Sequence, residues 1–185
     1  MKKLQSNYIS KLQGALASEA MSMVPVLAQH MLDAWNRGHQ MFICGNGGSA
    51  GNAIHLANDF IYGAGRTRGK GLKVEALSAN PAVLTCLAND IGYDHVYSEQ
   101  LKVKAEEGDL LLVLSGSGNS PNIVRALETG NQLGMTTFAV LAYSGGLCKQ
   151  LALHPIYFDI DDMQVAEDLQ LIVGHMCMQW LCAQN

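Results

Sequence analysis

The amino-acid sequence predicts a doubly wound α/β fold, a five-stranded parallel sheet with helices on both faces. Three observations predict it. Short apolar runs recur between longer segments of helical periodicity. The runs are apolar throughout rather than alternating, as strands buried on both sides are. Two of them lead into loops rich in glycine and serine. Right-handed crossovers between parallel strands then give the doubly wound arrangement.

The elements follow in order. Residues 8–36 carry apolar side chains at helical spacing (Leu12, Leu16, Met21, Val24, Leu27, Met31, Trp35), and Pro25 divides them into two helices. Met41-Phe42-Ile43-Cys44 is a buried strand, followed by a helix over 49–61. A second strand is expected over 72–77. Asn80-Pro81 opens another helix, with proline at the favoured first position. Residues 109–114 (Asp-Leu-Leu-Leu-Val-Leu) form a third strand, and 120–133 a helix stopped by Gly134. Strands four and five are expected over 136–141 and 156–160, and a last helix over 164–184.

Composition bounds the function. A length of 185 residues fits one domain. Hydrophobic residues make up 49% and charged ones only 15%, which predicts a surface partly covered by other copies and hence a homo-oligomer. A net charge of −4 argues against nucleic acid and anionic membrane surfaces as partners. No apolar run approaches the roughly 20 residues of a membrane span, and the N-terminus does not read as a signal peptide. Cys44, Cys86, Cys148, Cys177 and Cys182 are odd in number and form no CxxC pair. They are expected to be reduced, mostly buried thiols of a cytoplasmic protein.

Ligands of such sheets bind at the carboxyl ends of the strands. Two loops stand there, Cys44-Gly45-Asn46-Gly47-Gly48-Ser49 and Ser115-Gly116-Ser117-Gly118-Asn119-Ser120. Their small residues let backbone N–H groups approach an anion at a helix N-terminus. Their hydroxyls add donors for phosphate oxygens. Gly45, Gly47 and Ala50 also satisfy the dinucleotide pattern G-x-G-x-x-A, but the second strand does not end in an acidic residue for a ribose. The sequence contains no GxxxxGK[ST], which excludes a P-loop.

These loops, in this order, resemble the SIS (sugar isomerase) domain. Asn89-Asp90-Ile91-Gly92-Tyr93 and Gly108-Asp109-Leu110-Leu111 are further landmarks of that family. Within it the sequence is most similar to bacterial phosphoheptose isomerases, with which it shares the N-terminal helical extension and the GNGGS loop. It also shares a histidine one helical stretch later and a second histidine on the final helix. The resemblance covers nearly the whole chain. It implies one SIS domain over 1–185, a flavodoxin- or Rossmann-like three-layer sandwich. Residues 1–38 would serve oligomerisation, and 39–185 would form the phosphosugar-binding core. It further implies a homotetramer with active sites at subunit interfaces and no nucleotide cofactor. The implied reaction converts sedoheptulose 7-phosphate to an aldose phosphate through a cis-enediol. A relative of the same outline binds a replication initiator and is not known as an isomerase. The alternatives are therefore a non-catalytic phosphosugar-binding or scaffold protein, or an isomerase of a different phosphosugar.

His55 and Asp59 stand four residues apart on one helix face, and Glu167 and His175 eight apart on another. By resemblance these four positions hold one zinc ion beside the sugar. The isomerases usually carry glutamate where Asp59 stands and glutamine where Glu167 stands. The first change withdraws a carboxylate; the second adds a negative charge suited to a dication. Asp59 or Glu167 is the expected base and His175 its partner in the proton transfer. Ser49, Ser115, Ser117 and Ser120 are expected to hold the phosphate, with Gly47 and Asn119 in the same loops. Asn46 and Asp90 are expected at sugar hydroxyls, with helix capping the alternative for Asp90. Arg66, Arg68, Lys70 and Lys73 lie in a glycine-rich stretch read as a solvated loop, with a phosphate-reaching lid as the alternative.

Overall fold

A computed structural model describes residues 1–184; Asn185 and the side chains of Thr67 and Arg68 lie outside the described set. Helix α1 spans Lys2–Leu16, and α2 spans Val24–Arg37 after a 3₁₀ turn at Glu19–Met23. Pro25 sits in the first turn of α2, where its missing N–H costs nothing. Strand β1 (Gln40–Gly45) leads into α3 (Gly48–Asn58), which runs on as a π-helical turn over Asp59–Gly63 and ends in the short α4 (Gly65–Arg68). Then come β2 (Lys73–Ala76), α5 (Pro81–Asp90), α6 (Ser98–Lys104), β3 (Leu110–Ser115) and α7 (Pro121–Gln132). The chain closes with β4 (Thr136–Leu141), α8 (Cys148–Leu151), β5 (His154–Tyr157) and α9 (Met163–Cys182).

All neighbouring strands pair in parallel, in the order β2-β1-β3-β4-β5. Alternate residues face opposite layers. Met41, Ile43, Leu110, Leu112, Leu114 and Phe138 pack with α2, α3 and α9. Phe42, Cys44, Leu111, Val113, Ala139 and Leu141 pack against α6 and α7 on the other side. The chain reverses its winding between β1 and β3, which opens a crevice beyond their carboxyl ends.

Three expectations shift. Helix α1 begins at Lys2, and none of its residues is buried. β5 starts two residues early, at His154-Pro155, because proline is tolerated on an edge strand. The stretch read as a solvated loop is in part helical at Gly65–Arg68 and tied to its surroundings. Trp35 Nε1 donates to the Lys70 carbonyl at 3.1 Å, and Lys73 Nζ donates to the Gly38 carbonyl at 2.8 Å. All five cysteines are free, with Cys44, Cys148 and Cys177 buried, Cys182 half-buried and Cys86 exposed. Burial pushes the Cys148 and Cys177 thiols up to about 12, which leaves them protonated and inert. No helix among the described residues is long and apolar enough to cross a membrane.

Candidate active site

The β1–α3 and β3–α7 loops meet at the crevice. A cavity of about 280 Å³ is lined there by Asn46, Gly47, Gly48, Ser49, Ser115, Gly116, Ser117 and Ser120, with Met163 and Glu167 from the start of α9. Gly47 has φ +56 and Gly118 φ +66, left-handed values that favour glycine. Each loop turns sharply enough to aim a helix N-terminus at the cavity.

The loops are held by side-chain hydrogen bonds. Asn46 and Asn122 exchange amide hydrogen bonds of 2.8 Å in both directions. Tyr93 donates to Asn46 Oδ1 at 3.1 Å, and the buried Tyr97 hydroxyl donates to the Gly45 carbonyl. Burial raises the Tyr97 hydroxyl above its ordinary range and keeps it a donor. Asn46 therefore lines the cavity while locking the first loop to α7. Asn119 faces away, its Oδ1 accepting from Leu147 N at 3.0 Å. Ser120 occupies the N-cap position of α7 but makes no side-chain cap bond. Asp90 ends α5, is exposed, and does not line this cavity. Its position at a helix C-terminus also rules out an N-cap role.

Helices α3 and α9 lie side by side and parallel. A side chain at Gly48 would strike the Glu167 carboxylate. Asn52 bonds the Glu167 carbonyl and Gln170, and a side chain at Gly174 would strike Leu56. One step further along, His55, Asp59 and His175 converge, their ligand atoms all within 4.8 Å of one another. The two Nε2 atoms are 2.9 Å apart, within hydrogen-bond distance. Asp59 Oδ2 lies 3.5 Å from each. Ligands about 2.0–2.2 Å from zinc stand roughly 3.3–3.6 Å apart in a tetrahedron. The three atoms thus need only small shifts to hold such an ion. Asp59, although shorter than glutamate, reaches both imidazoles from the first position of the π turn.

Glu167 is not in that cluster. It precedes His175 by two helical turns, roughly 12 Å along the axis, and its carboxylate sits beside Gly48 at the mouth of α3. Among the described residues it is the one ionisable side chain lining the cavity. Sequence reasoning gave no role to Asn52, Tyr97, Asn122 and Gln170, and it named Tyr93 only as part of a family landmark. The buried Tyr97, Asn122 and Gln170 carry no spacing signal; only the contacts reveal them.

The chain matches the SIS domain family over residues 6–142. It is 36% identical to the phosphoheptose isomerase of Crocosphaera subtropica over 147 residues, covering 80% of this chain and 74% of the relative. It is 33% identical to the phosphoheptose isomerase of Trichlorobacter lovleyi over 179 residues, covering 94% and 91%. Among solved structures it is similar to the phosphoheptose isomerase GmhA of Neisseria gonorrhoeae, with TM-score 0.89 and 24% identity over 97% of this chain and 96% of that one. A phosphoheptose isomerase of Francisella tularensis gives TM-score 0.90 and 23% identity over 99% and 98%. At that identity the likeness shows the fold.

Proposed function

The chain belongs to the SIS domain family, and from that premise we propose that it is a phosphosugar aldose–ketose isomerase converting sedoheptulose 7-phosphate to a heptose 7-phosphate, assisted by zinc. The observation that carries the reading is the pairing of a serine-lined cavity with a His–Asp–His cluster along one seam between α3 and α9. Curated relatives that match most of the chain bear the name phosphoheptose isomerase.

In this reading the serine loops hold the phosphate through hydroxyls and backbone N–H groups. Asn46, its amide already fixed by Asn122, offers a rigid edge to the sugar. The Glu167 carboxylate has no hydrogen-bond or ion-pair partner among the described residues, so it is free to accept a proton. It takes one from C1 of the ketose and returns it to C2 of the cis-enediol, while a hydroxyl proton passes from O1 to O2. His55, Asp59 and His175 would hold the metal. Zinc, when bound, supplies a fixed positive charge for the oxyanion that develops on the sugar. Copies of the chain would cover exposed apolar side chains such as Ile54, Ile61 and Tyr62, giving the oligomer.

The test is turnover. Purified protein given sedoheptulose 7-phosphate and zinc is expected to produce an aldose phosphate, and a chelator is expected to stop it. Turnover indifferent to the chelator would remove the metal from the account. A bound but unconverted sugar phosphate would assign a binding or scaffold role instead.

A further inference from the structure

We propose that Gln170 is a positioning residue that sets Ser49 as a hydrogen-bond donor to the phosphate, a proposal that rests on reading the serine-lined cavity as a phosphosugar site. Gln170 is 1% exposed on α9, and Ser49 is 5% exposed in the first turn of α3. Gln170 Nε2 lies 3.0 Å from Ser49 Oγ.

The polarity of this contact follows from a group that has no choice. The Glu167 backbone carbonyl can only accept, so the Asn52 atom 3.0 Å from it is the amide nitrogen. That nitrogen's second hydrogen goes to Gln170 at 2.9 Å, so the Gln170 atom there is the oxygen. The Gln170 nitrogen is then left facing Ser49. Ser49 Oγ therefore accepts, and its own proton has no partner among the described residues. It is free to point into the cavity that Ser49 lines.

The other loop repeats the pattern with backbone groups. Gly118 N donates to Ser115 Oγ at 3.1 Å, and Asn119 N donates to Ser117 Oγ at 3.3 Å. Each of these three hydroxyls is thus occupied as an acceptor from within and presents a proton outward. A phosphate dianion, whose oxygens accept, is the ligand such a wall selects. For Ser115 and Ser117 the loop itself sets the polarity. For Ser49 it is imposed from a different helix, through Asn52 and Gln170. Buried amides in this chain carry information about the ligand's charge.

The experiment is a double-mutant cycle on binding of inorganic phosphate and of sedoheptulose 7-phosphate, by calorimetry. In the wild-type protein, Ser49→Ala is expected to weaken binding about tenfold to a hundredfold, as loss of a hydrogen bond to a charged group does. Gln170→Met keeps the volume but offers no donor. In that background Ser49→Ala is expected to cost only about twofold, a coupling that a merely structural role would not produce. Should the Met variant fold poorly, Gln170→Glu repeats the cycle. It keeps the acceptor for Asn52, and as a carboxylate it draws the Ser49 proton inward. Equal costs of Ser49→Ala in wild-type and variant backgrounds would overturn the role of Gln170 while leaving the phosphate site in place. A wild-type protein that binds neither ligand would overturn the reading of the cavity itself.

Discussion

Asp59 and Glu167 bring the same functional group into two different surroundings. Asp59 Oδ2 faces two imidazole nitrogens at 3.5 Å, whereas Glu167 faces the cavity beside Gly48. On the proposed reading the first would hold the metal and the second would carry the proton. Glu167→Gln installs the residue that phosphoheptose isomerases usually carry and so decides between the two carboxylates: with Glu167 as the base it is expected to lower kcat roughly 10²- to 10⁴-fold, and an undiminished kcat would give the base role to Asp59. The variant's zinc content after dialysis should match that of the wild type. His175→Ala is expected to lose the zinc, read by metal analysis. At this scale the sequence revealed residues whose chemistry follows type and spacing, such as the loop serines and the histidines. It did not reveal Asn122 or Gln170, since an amide's role depends on which neighbour fixes its orientation.

At the scale of elements, α1 buries no residue and is tied to α9 by two polar contacts. Tyr8 donates to Asp168 at 2.5 Å and Lys11 to Asp162 at 2.6 Å. Asp162 also caps α9, accepting from Val165 N, immediately before the cavity residue Met163. The hydrogen bond to Asp168 raises the Tyr8 hydroxyl from 10.0 to about 12. The Lys11 ammonium, with the Val165 N–H, holds Asp162 below the ordinary 3.8. The signs bracket the docking of α1. A raised acid contributes stability that is present below pH 10.0 and lost as pH rises towards 12. A depressed carboxylate contributes stability present above 3.8 and lost as pH falls through its lower folded value. Tyr8→Phe is expected to cost about 1 kcal/mol of docking and to speed amide exchange in α1 while leaving the sheet protected. Unchanged exchange there would show that the contact does not hold the helix. Long periodic helices and apolar strands were legible because burial writes their period into the sequence. Helix α6, with seven residues, and α4, with four, were too short to display a period.

The whole molecule places its site where the winding reverses, so the parallel order β2-β1-β3-β4-β5 and the two loops are one fact seen at two scales. Apolar β1, β3 and β4 made the parallel sheet legible in outline, though not the order of its strands. The edge strand β5 was harder to place, because His154-Pro155 carries no strand signature. His154 stacks on Phe138 with ring centres 4.7 Å apart and lies 5.1 Å from the His30 ring. Burial, with His30 nearby, lowers its pKa from the ordinary 6.5. The unfolded chain then binds more protons than the folded one in that range, so stability is full above 6.5 and falls as pH drops through the lower folded value. Thermal unfolding should show that loss, and His154→Gln should reduce it. In the central layer, Leu112→Ala is expected to cost about 2–5 kcal/mol of stability by opening a cavity against α2, α3 and α9.

In the proposed reaction a proton moves between two carbons of a sugar phosphate. The most direct measurement follows sedoheptulose 7-phosphate by NMR in D₂O with the zinc-loaded protein. The expected product is an aldose phosphate carrying solvent deuterium at C2, with exchange greatly slowed in the Glu167→Gln variant. A sugar phosphate that binds to the protein yet acquires neither deuterium nor an aldehyde carbon would contradict the proposed reaction.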